Sequence, residues 1–410
     1  MDETSLYERI LSLSPPWFVE AVELDENTDT VNVFIEVDRT HELKCPICEK
    51  SSPRYDARSR TWRHLDSCQF KTLVHASIPR VHCAEHGVLQ IDVPWAENRS
   101  GFTLLFEQHV IRWLKVASIN AVRQQLQLSW NAVDGIMQRA VKRGLAARTD
   151  PSLKHLAVDE VSRKKGHDYV TVLSNEKGHV LDIQEGRAKH SLMQCFSTFT
   201  HRQRRRIQSI SLDMSGAYLS AIKDTLPQWK RQICFDKFHV AMDLNKAVNR
   251  VRKHEMKHID AIYRQDLHRS KYTWLRAAST LTEIHQQTIS NLSQVVKQTA
   301  RAWAIRQYAM DLWQFNDKHV AEAAWEKWYS WAIRSRLQPM KTAAKSIKKN
   351  LWGIINAIIY QKNNAQAESI NSRIKILKVR AKGFRNYERF KTTILFHLGG
   401  LDLYPKKSPT

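Results

Sequence analysis

Between Leu156 and Val240 the hydrophobic pattern changes period in a fixed order, and that order limits the fold more than any other feature of the 410 residues. LAVDEV (Leu156–Val161), YVTVLSN (Tyr169–Asn175) and HVLDIQEG (His179–Gly186) read as three strands in a meander, separated by turns at RKKGHD and EKG. A helical stretch follows, then SISLDMSG (Ser209–Gly216), a second helix at AYLSAIKDTL, and a fifth strand in QICFDKFHV (Gln232–Val240). Pro151 marks the start of this region, and from about Met242 to Lys345 everything reads as helix. That stretch carries six tryptophans, Trp274, Trp303, Trp313, Trp325, Trp328 and Trp331, which are read as core.

The order β-β-β-α-β-α-β is that of the ribonuclease H-like fold, in which the first and fourth strands lie side by side. Asp159 falls in the first of these strands and Asp213 in the fourth. A carboxylate in a buried strand is costly unless it is paired or bound to a cation. On neighbouring strands the two acids converge. Three readings compete: Asp213 as a turn or helix-cap acid, Asp159 paired with an arginine, and Glu160 as the true partner. Asp236 and His239, at the end of the fifth strand, form an Asp-x-x-His pair that suits either support of a metal cluster or orientation of a nucleic-acid strand.

The last third of the chain adds one more acid. From Lys327 to Tyr387 there are fourteen Lys or Arg, and Glu368 is the one Asp or Glu among them. A surface ion pair contributes only about 0–1 kcal/mol, so a second explanation is a metal ion held by Glu368 beside a polyanion held by its basic neighbours. Ala367, Ile370, Ile374 and Leu377 recur at helical spacing as a buried stripe, with Glu368 on its flank and Lys375 returning to the same side seven residues on. Three carboxylates are hard oxygen ligands suited to Mg²⁺ or Mn²⁺.

The first hundred residues read as β, with FVEAVEL (Phe18–Leu24) and VNVFIEV (Val31–Val37) alternating apolar and polar around DENTDT. CPIC at Cys45–Cys48 and CAEH at Cys83–His86 are two short knuckles joined by strand, the layout of a zinc ribbon. Cys45, Cys48, Cys83 and His86 make a tetrahedral set, with His64, Cys68 and His82 as rivals for the fourth place. From Thr103 to Arg148 the period is helical. Ser118 and Ser129 cap a short second and a longer third helix in a helix-turn-helix pattern, with Asn131, Gln138, Arg139 and Lys142 as the groove-facing side.

A net charge of +23, from 64 Lys+Arg against 41 Asp+Glu, points to a nucleic-acid partner. The longest apolar run, LWGIINAIIY (Leu351–Tyr360), is about half a membrane span, and the acidic start MDETSLYERI is not a signal peptide. Six cysteines, four of them before residue 90, suit a reduced compartment with one local metal site. The expectation is a cytoplasmic protein with no membrane partner.

At these residues the chain resembles the DDE transposases of bacterial insertion sequences, and most closely the ISL-three family. The resemblance runs through CPIC, RTWRHLD, CAEHGV, LAVDEVSRKKGHDYVTVL, SISLDMSGAY, ICFDKFHV and NNAQAESINSRIKILKVRAKGFRNYERFK. It implies Asp159, Asp213 and Glu368 as the catalytic triad, holding Mg²⁺ (or Mn²⁺). It also implies zinc-binding and helix-turn-helix modules that recognise terminal inverted repeats, with the element's ends and a target DNA as partners. Water would cut at an element's end, and the freed 3′-hydroxyl would attack a target phosphodiester. Synapsis of two ends makes a homodimer the expectation. The broader DDE set has Tyr and Arg before the Glu, where this chain has Gln361 and Asn364; only Lys375 matches.

The fold class expected is therefore multidomain α/β: a ribonuclease H-like catalytic core with an all-helical insertion, preceded by a zinc ribbon and a helix-turn-helix domain. The boundaries are 1–98 for the N-terminal β and zinc-ribbon domain, 99–150 for the helix-turn-helix, 151–241 for the first part of the core, 242–345 for the insertion and 346–410 for the second part. Two other readings stand beside a transposase: a DNA-binding regulator with an inactive core, and a ribonuclease H-like nuclease without strand transfer.

Overall fold

The computed structural model describes residues 2–406 other than 150, 165, 167, 363 and 364. The chain forms two compact units, Met1–Thr149 with Leu401–Thr410, and Asp150–Gly400.

The first unit opens with a helix, Glu3–Leu11, whose first turn is capped by the Asp2 carboxylate. Five strands follow: β1 (Trp17–Asp25), β2 (Thr30–Val37), β3 (Arg54–Arg63), β4 (Lys71–Cys83) and β5 (Gly87–Gln90). They make one sheet in the order β1-β2-β4-β3, with β5 also on β4. The β1–β2 connection is tight because Asp25 accepts hydrogen bonds from the Asn27 N–H and the Thr28 hydroxyl. Along β2 every second side chain is buried, so Val31, Val33 and Ile35 line one face with Val74 and Ile78 of β4. Trp95 meets Trp17 and Trp62 edge to face at 4.9 and 5.5 Å, filling that core.

Three helices complete this unit: Leu104–Val116, Ile119–Gln125 and Trp130–Ala147. Each starts at a hydroxyl residue, Thr103, Ser118 and Ser129, that accepts from the N–H three residues on. The sequence reading put residues 401–406 with the last part of the core, but they pack here. Arg143 donates to the Leu403 carbonyl at 2.8 Å and Gln108 to the Pro405 carbonyl at 3.1 Å. Gly144 admits Leu401, since a Cβ at Gly144 would sit 2.7 Å from the Leu401 Cβ.

The second unit is built on β6 (His155–Lys164), β7 (Asp168–Asn175), β8 (Val180–Glu185), β9 (Ser209–Leu212) and β10 (Ile233–Phe235), in the order β10-β9-β6-β7-β8. β6, β7 and β8 are antiparallel, whereas β9 and β10 run parallel to β6 and to each other. Helices at Lys189–Ser197 and Gly216–Thr225 make the crossovers that parallel pairing requires. The first and fourth strands of this sheet, β6 and β9, are hydrogen-bonded neighbours.

From Lys237–Glu255 to Gln338–Lys349 the regular elements among the described residues are helical. Their interior holds Trp274, Trp325 and Trp328, with Trp303 and Trp313 packed against them and Trp331 partly exposed. Leu351–Ile359 then lies on β10 at Gly353, where a Cβ would come within 2.4 Å of the Phe235 ring. Ala365–Arg380 and Tyr387–Leu398 close the unit. No helix among the described residues is long and apolar enough to cross a membrane.

Candidate metal centres and nucleic-acid surface

Two knuckles of the first unit meet as their spacing suggests. Cys45 and Cys48 lie on the loop after β2, and Cys83 and His86 on the turn between β4 and β5. The donor atoms of all four lie within 4.8 Å of one another. Cys48 Sγ to Cys83 Sγ is 3.7 Å, and His86 Nδ1 is 3.5 Å from Cys83 Sγ and 3.8 Å from Cys45 Sγ. A tetrahedron with Zn–S bonds of about 2.3 Å and a Zn–N bond of about 2.0 Å has edges of roughly 3.5–3.8 Å, which these three distances match. The Glu85 N–H, followed by His86, holds the Cys83 thiol at about 6, which favours the thiolate that ligates. Of the rivals, His64 is buried against Thr103, at 2.8 Å from its hydroxyl.

In the third helix, Trp130–Ala147, Asn131, Gln138 and Lys142 are exposed. Gln138 also donates to Asp134 at 2.8 Å. Arg139 is differently employed: its Nε donates to Glu107 at 2.9 Å and its Nη2 reaches the same carboxylate. Glu107 is fully buried on the first helix, and Ser100 donates to it at 2.8 Å. The Arg139 guanidinium thus neutralises an interior acid instead of standing free on the groove-facing side. Helical spacing alone could not reveal this, because Glu107 is thirty-two residues away.

In the second unit, β-register aligns the strand acids. Ala157 pairs with Ser211, the last pair of β6 and β9; Asp159 and Asp213 each follow two residues beyond it, Asp213 just past the end of β9. Phe235 pairs with Leu212, which sets Asp236 level with Asp213 on the other side. Asp213 and Asp236 thus directly follow the carboxyl ends of β9 and β10, where open α/β sheets bind ligands, while Asp159 lies midway along the longer β6 beside them. Glu160 follows Asp159 on β6 and lies 3.6 Å from Arg187, and the Asp213 charge acts on both acids.

The charges of these acids act on one another. Burial raises the Asp159 carboxyl above its ordinary range; the Glu160 N–H, His239 and Asn371 oppose the shift and Asp213 adds to it. Burial and then Asp213 raise Glu160 likewise, against Arg187. His239 is raised, first by its bond to Asp236 at 3.0 Å and further by Asp213 and Asp159.

The helix Ala365–Arg380 lies along β6, burying Ala367, Ile370, Ile374 and Leu377. Asn371 donates to Asp159 Oδ2 at 2.6 Å, and Lys378 donates to the Ser162 carbonyl. Glu368 precedes Asn371 by one turn on the same flank and is exposed, as is Lys375. Among the described residues, the zinc set is the one group of three or more His, Cys, Asp or Glu that closes to 4.8 Å. Asp159, Asp213 and Glu368 are not drawn that tightly together; Asn371 is the residue of their helix that touches Asp159. No pattern in the sequence singles out Asn371, since one polar residue beside a charged one on a helix flank has no period.

Three family models match the chain in series. A zinc-finger of transposase IS204/IS1001/IS1096/IS1165 covers residues 41–86. A helix-turn-helix domain of transposase family ISL3 covers 91–141, and an ISL3 transposase model covers 156–394. Among curated proteins, the transposase for insertion sequence element IS1001 of Bordetella parapertussis is 26% identical over 382 residues, spanning 91% of this chain and 93% of its own length. The transposase for IS1557 of Mycobacterium tuberculosis is 25% identical over 433 residues, spanning 98% of this chain and 96% of its own.

Proposed function

Because the chain belongs to the ISL3 family of DDE transposases, we propose that its second unit cuts DNA at an insertion sequence's ends and joins them to a target. The first unit carries a DNA-binding helix-turn-helix domain and a zinc ribbon whose Cys₃His cluster supports structural zinc. These modules recognise the terminal inverted repeats, with Asn131, Gln138 and Lys142 toward the groove. The second unit reads as a ribonuclease H-like core interrupted by an all-helical insertion. What supports this reading is that Asp213 and Asp236 directly follow two parallel strands next to β6, which carries Asp159, and that Asn371 of the Glu368 helix donates to Asp159.

Asp159, Asp213 and Glu368 would hold Mg²⁺ or Mn²⁺. The donors fit in kind, being hard oxygens, and Asp159, raised by burial and further by Asp213, calls for a cation. When bound, such ions stabilise the attacking and leaving oxygens of in-line displacement at phosphorus. The chain's own groups do the rest. Asp236 orients His239, whose imidazole holds its proton more readily than usual and sets a positive charge beside the acids. Lys375 and its basic neighbours bind the DNA backbone along the helix Ala365–Arg380. The nucleophiles are water and then the DNA 3′-hydroxyl, so no covalent protein–DNA link forms. Two ends must be held together, which calls for a homodimer.

The test is metal-dependent strand cleavage on DNA bearing the parent element's ends. Asp159→Asn, Asp213→Asn and Glu368→Gln should each lower cleavage about 100-fold or more while leaving end binding intact. Wild-type rates in any of the three would remove that residue from the site. Cleavage without joined product from pre-cut ends would make the protein a nuclease.

A further inference from the structure

We propose that Asn371 is a positioning residue of the carboxylate site: its side-chain amide fixes the Asp159 carboxylate and locks the turn bearing Glu368 in register with β6. The inference rests on the reading of Asp159, Asp213 and Glu368 as cation ligands.

Both oxygens of Asp159 are held. Oδ1 accepts the Glu160 N–H at 2.8 Å, and Oδ2 accepts the Asn371 amide at 2.6 Å. Two donors on opposite oxygens fix the carboxylate plane and leave a lone pair on each oxygen for a cation. The orientation of the amide follows from charge, because rotating it would set its carbonyl oxygen against the carboxylate. That carbonyl oxygen is buried without a hydrogen-bond partner. Burying an unsatisfied acceptor is unfavourable, and asparagine is a weak helix former besides. Docking of the helix does not need Asn371, since Ala367, Ile370, Ile374 and Leu377 already bury its inner stripe. Among the described residues, the bond that the Asn371 side chain makes ends on an acid of the site.

The same bond sets Glu368. Three helical residues span about 4.5 Å along the axis and nearly one full turn, so Glu368 and Asn371 share a flank. Fixing Asn371 on Asp159 therefore fixes the height at which Glu368 stands beside the strand acids. The amide serves both ligands, one directly and one through a single helical turn. Outer partners of this kind typically govern metal affinity by about 10–100-fold.

The experiment is a Mn²⁺ titration of the zinc-loaded full-length protein without DNA, followed by the electron paramagnetic resonance signal of free Mn²⁺. Wild type is compared with Asn371→Ala, the nearly isosteric Asn371→Leu, and Asp159→Asn. We expect wild type to bind and Asp159→Asn to lose that binding. In both Asn371 variants the midpoint should rise about tenfold or more. Strand cleavage in those variants should fall at limiting Mn²⁺ and recover to within a few-fold at saturating Mn²⁺. A merely structural role would lower the number of binding-competent molecules without moving the midpoint, so partial misfolding stays distinguishable. An unchanged midpoint in either variant, with wild-type binding that depends on Asp159, overturns this inference alone. Wild type that binds no more Mn²⁺ than Asp159→Asn overturns the reading of the acids and this inference with it.

Discussion

Asp236 stands beside Asp213 because its N–H donates to the Leu212 carbonyl at 3.1 Å, one residue beyond the last pair of β9 and β10. The Asp236 side chain then caps the next helix at Phe238 N–H and reaches His239 at 3.0 Å. One carboxylate thus ends a strand, starts a helix and raises an imidazole. Asp236→Asn removes the anionic partner that favours the imidazolium, so the His239 pKa should fall, as followed by NMR titration. Cleavage should drop about 10–100-fold, less than for Asp159→Asn. An unmoved His239 titration would separate the pair from the site.

Zinc should be required by the first unit alone. Cys83→Ser removes one vertex of the Cys₃His set, and metal analysis should find about one equivalent fewer per chain. Because metal binding is coupled to folding, thermal melting of that unit should shift downward and end binding weaken with it. Acid works in the same direction. Thiolates must be deprotonated to ligate, so dialysis from about pH 7 to about pH 5 should release the ion.

Arg139 and Lys142 lie on one helix yet should fail in different ways. Arg139→Ala leaves the buried Glu107 carboxylate with only Ser100 and, at 4.0 Å, Arg143, so stability should fall by up to about 3 kcal/mol, readable in urea unfolding. Lys142 is exposed, so Lys142→Ala should leave the unfolding midpoint in place. It should weaken end binding and reduce the salt dependence by about one counterion. Equal stability of the two variants would contradict the interior role of Arg139.

His64 gives the first unit an acid-sensitive joint. Burial lowers its imidazole from 6.5 to about 4, and its ring meets Thr103, the cap of the next helix. The unfolded chain takes up the proton first as pH falls. The stabilisation is complete above 6.5 and declines from there down to about 4, by at most roughly 3 kcal/mol. His64→Gln should be less stable at neutral pH but lose less on acidification, with unfolding measured at a fixed excess of zinc. Parallel pH profiles for the two proteins would remove His64 from that role.

The elements that repeat a period were legible, and the single contacts were not. The alternation of LAVDEV places Asp159 within its strand, whereas Asp213, read as a strand acid, follows directly after β9, which ends at Leu212. Two-residue gaps marked Cys45, Cys48, Cys83 and His86, but only the turn between β4 and β5 brings His86 to the sulfurs, while β3 carries His64 to Thr103. Arg139 looked free because a helical wheel holds no information about a partner on another helix. Asn371 and the carbonyls of Leu403 and Pro405 are each used once, by a contact that is distant in sequence. Such contacts leave no trace in the pattern of residue types.

Residues 401–406 complete the unit in which the chain begins. On the ribosome, the two helices holding Gln108 and Arg143 therefore wait for these partners until the whole of Asp150–Gly400 has emerged. The part that reads DNA is finished only after the part proposed to cut it has been made. A chain halted before its final residues would lack a docked edge at its start, and each of its two activities would inherit the fate of the other.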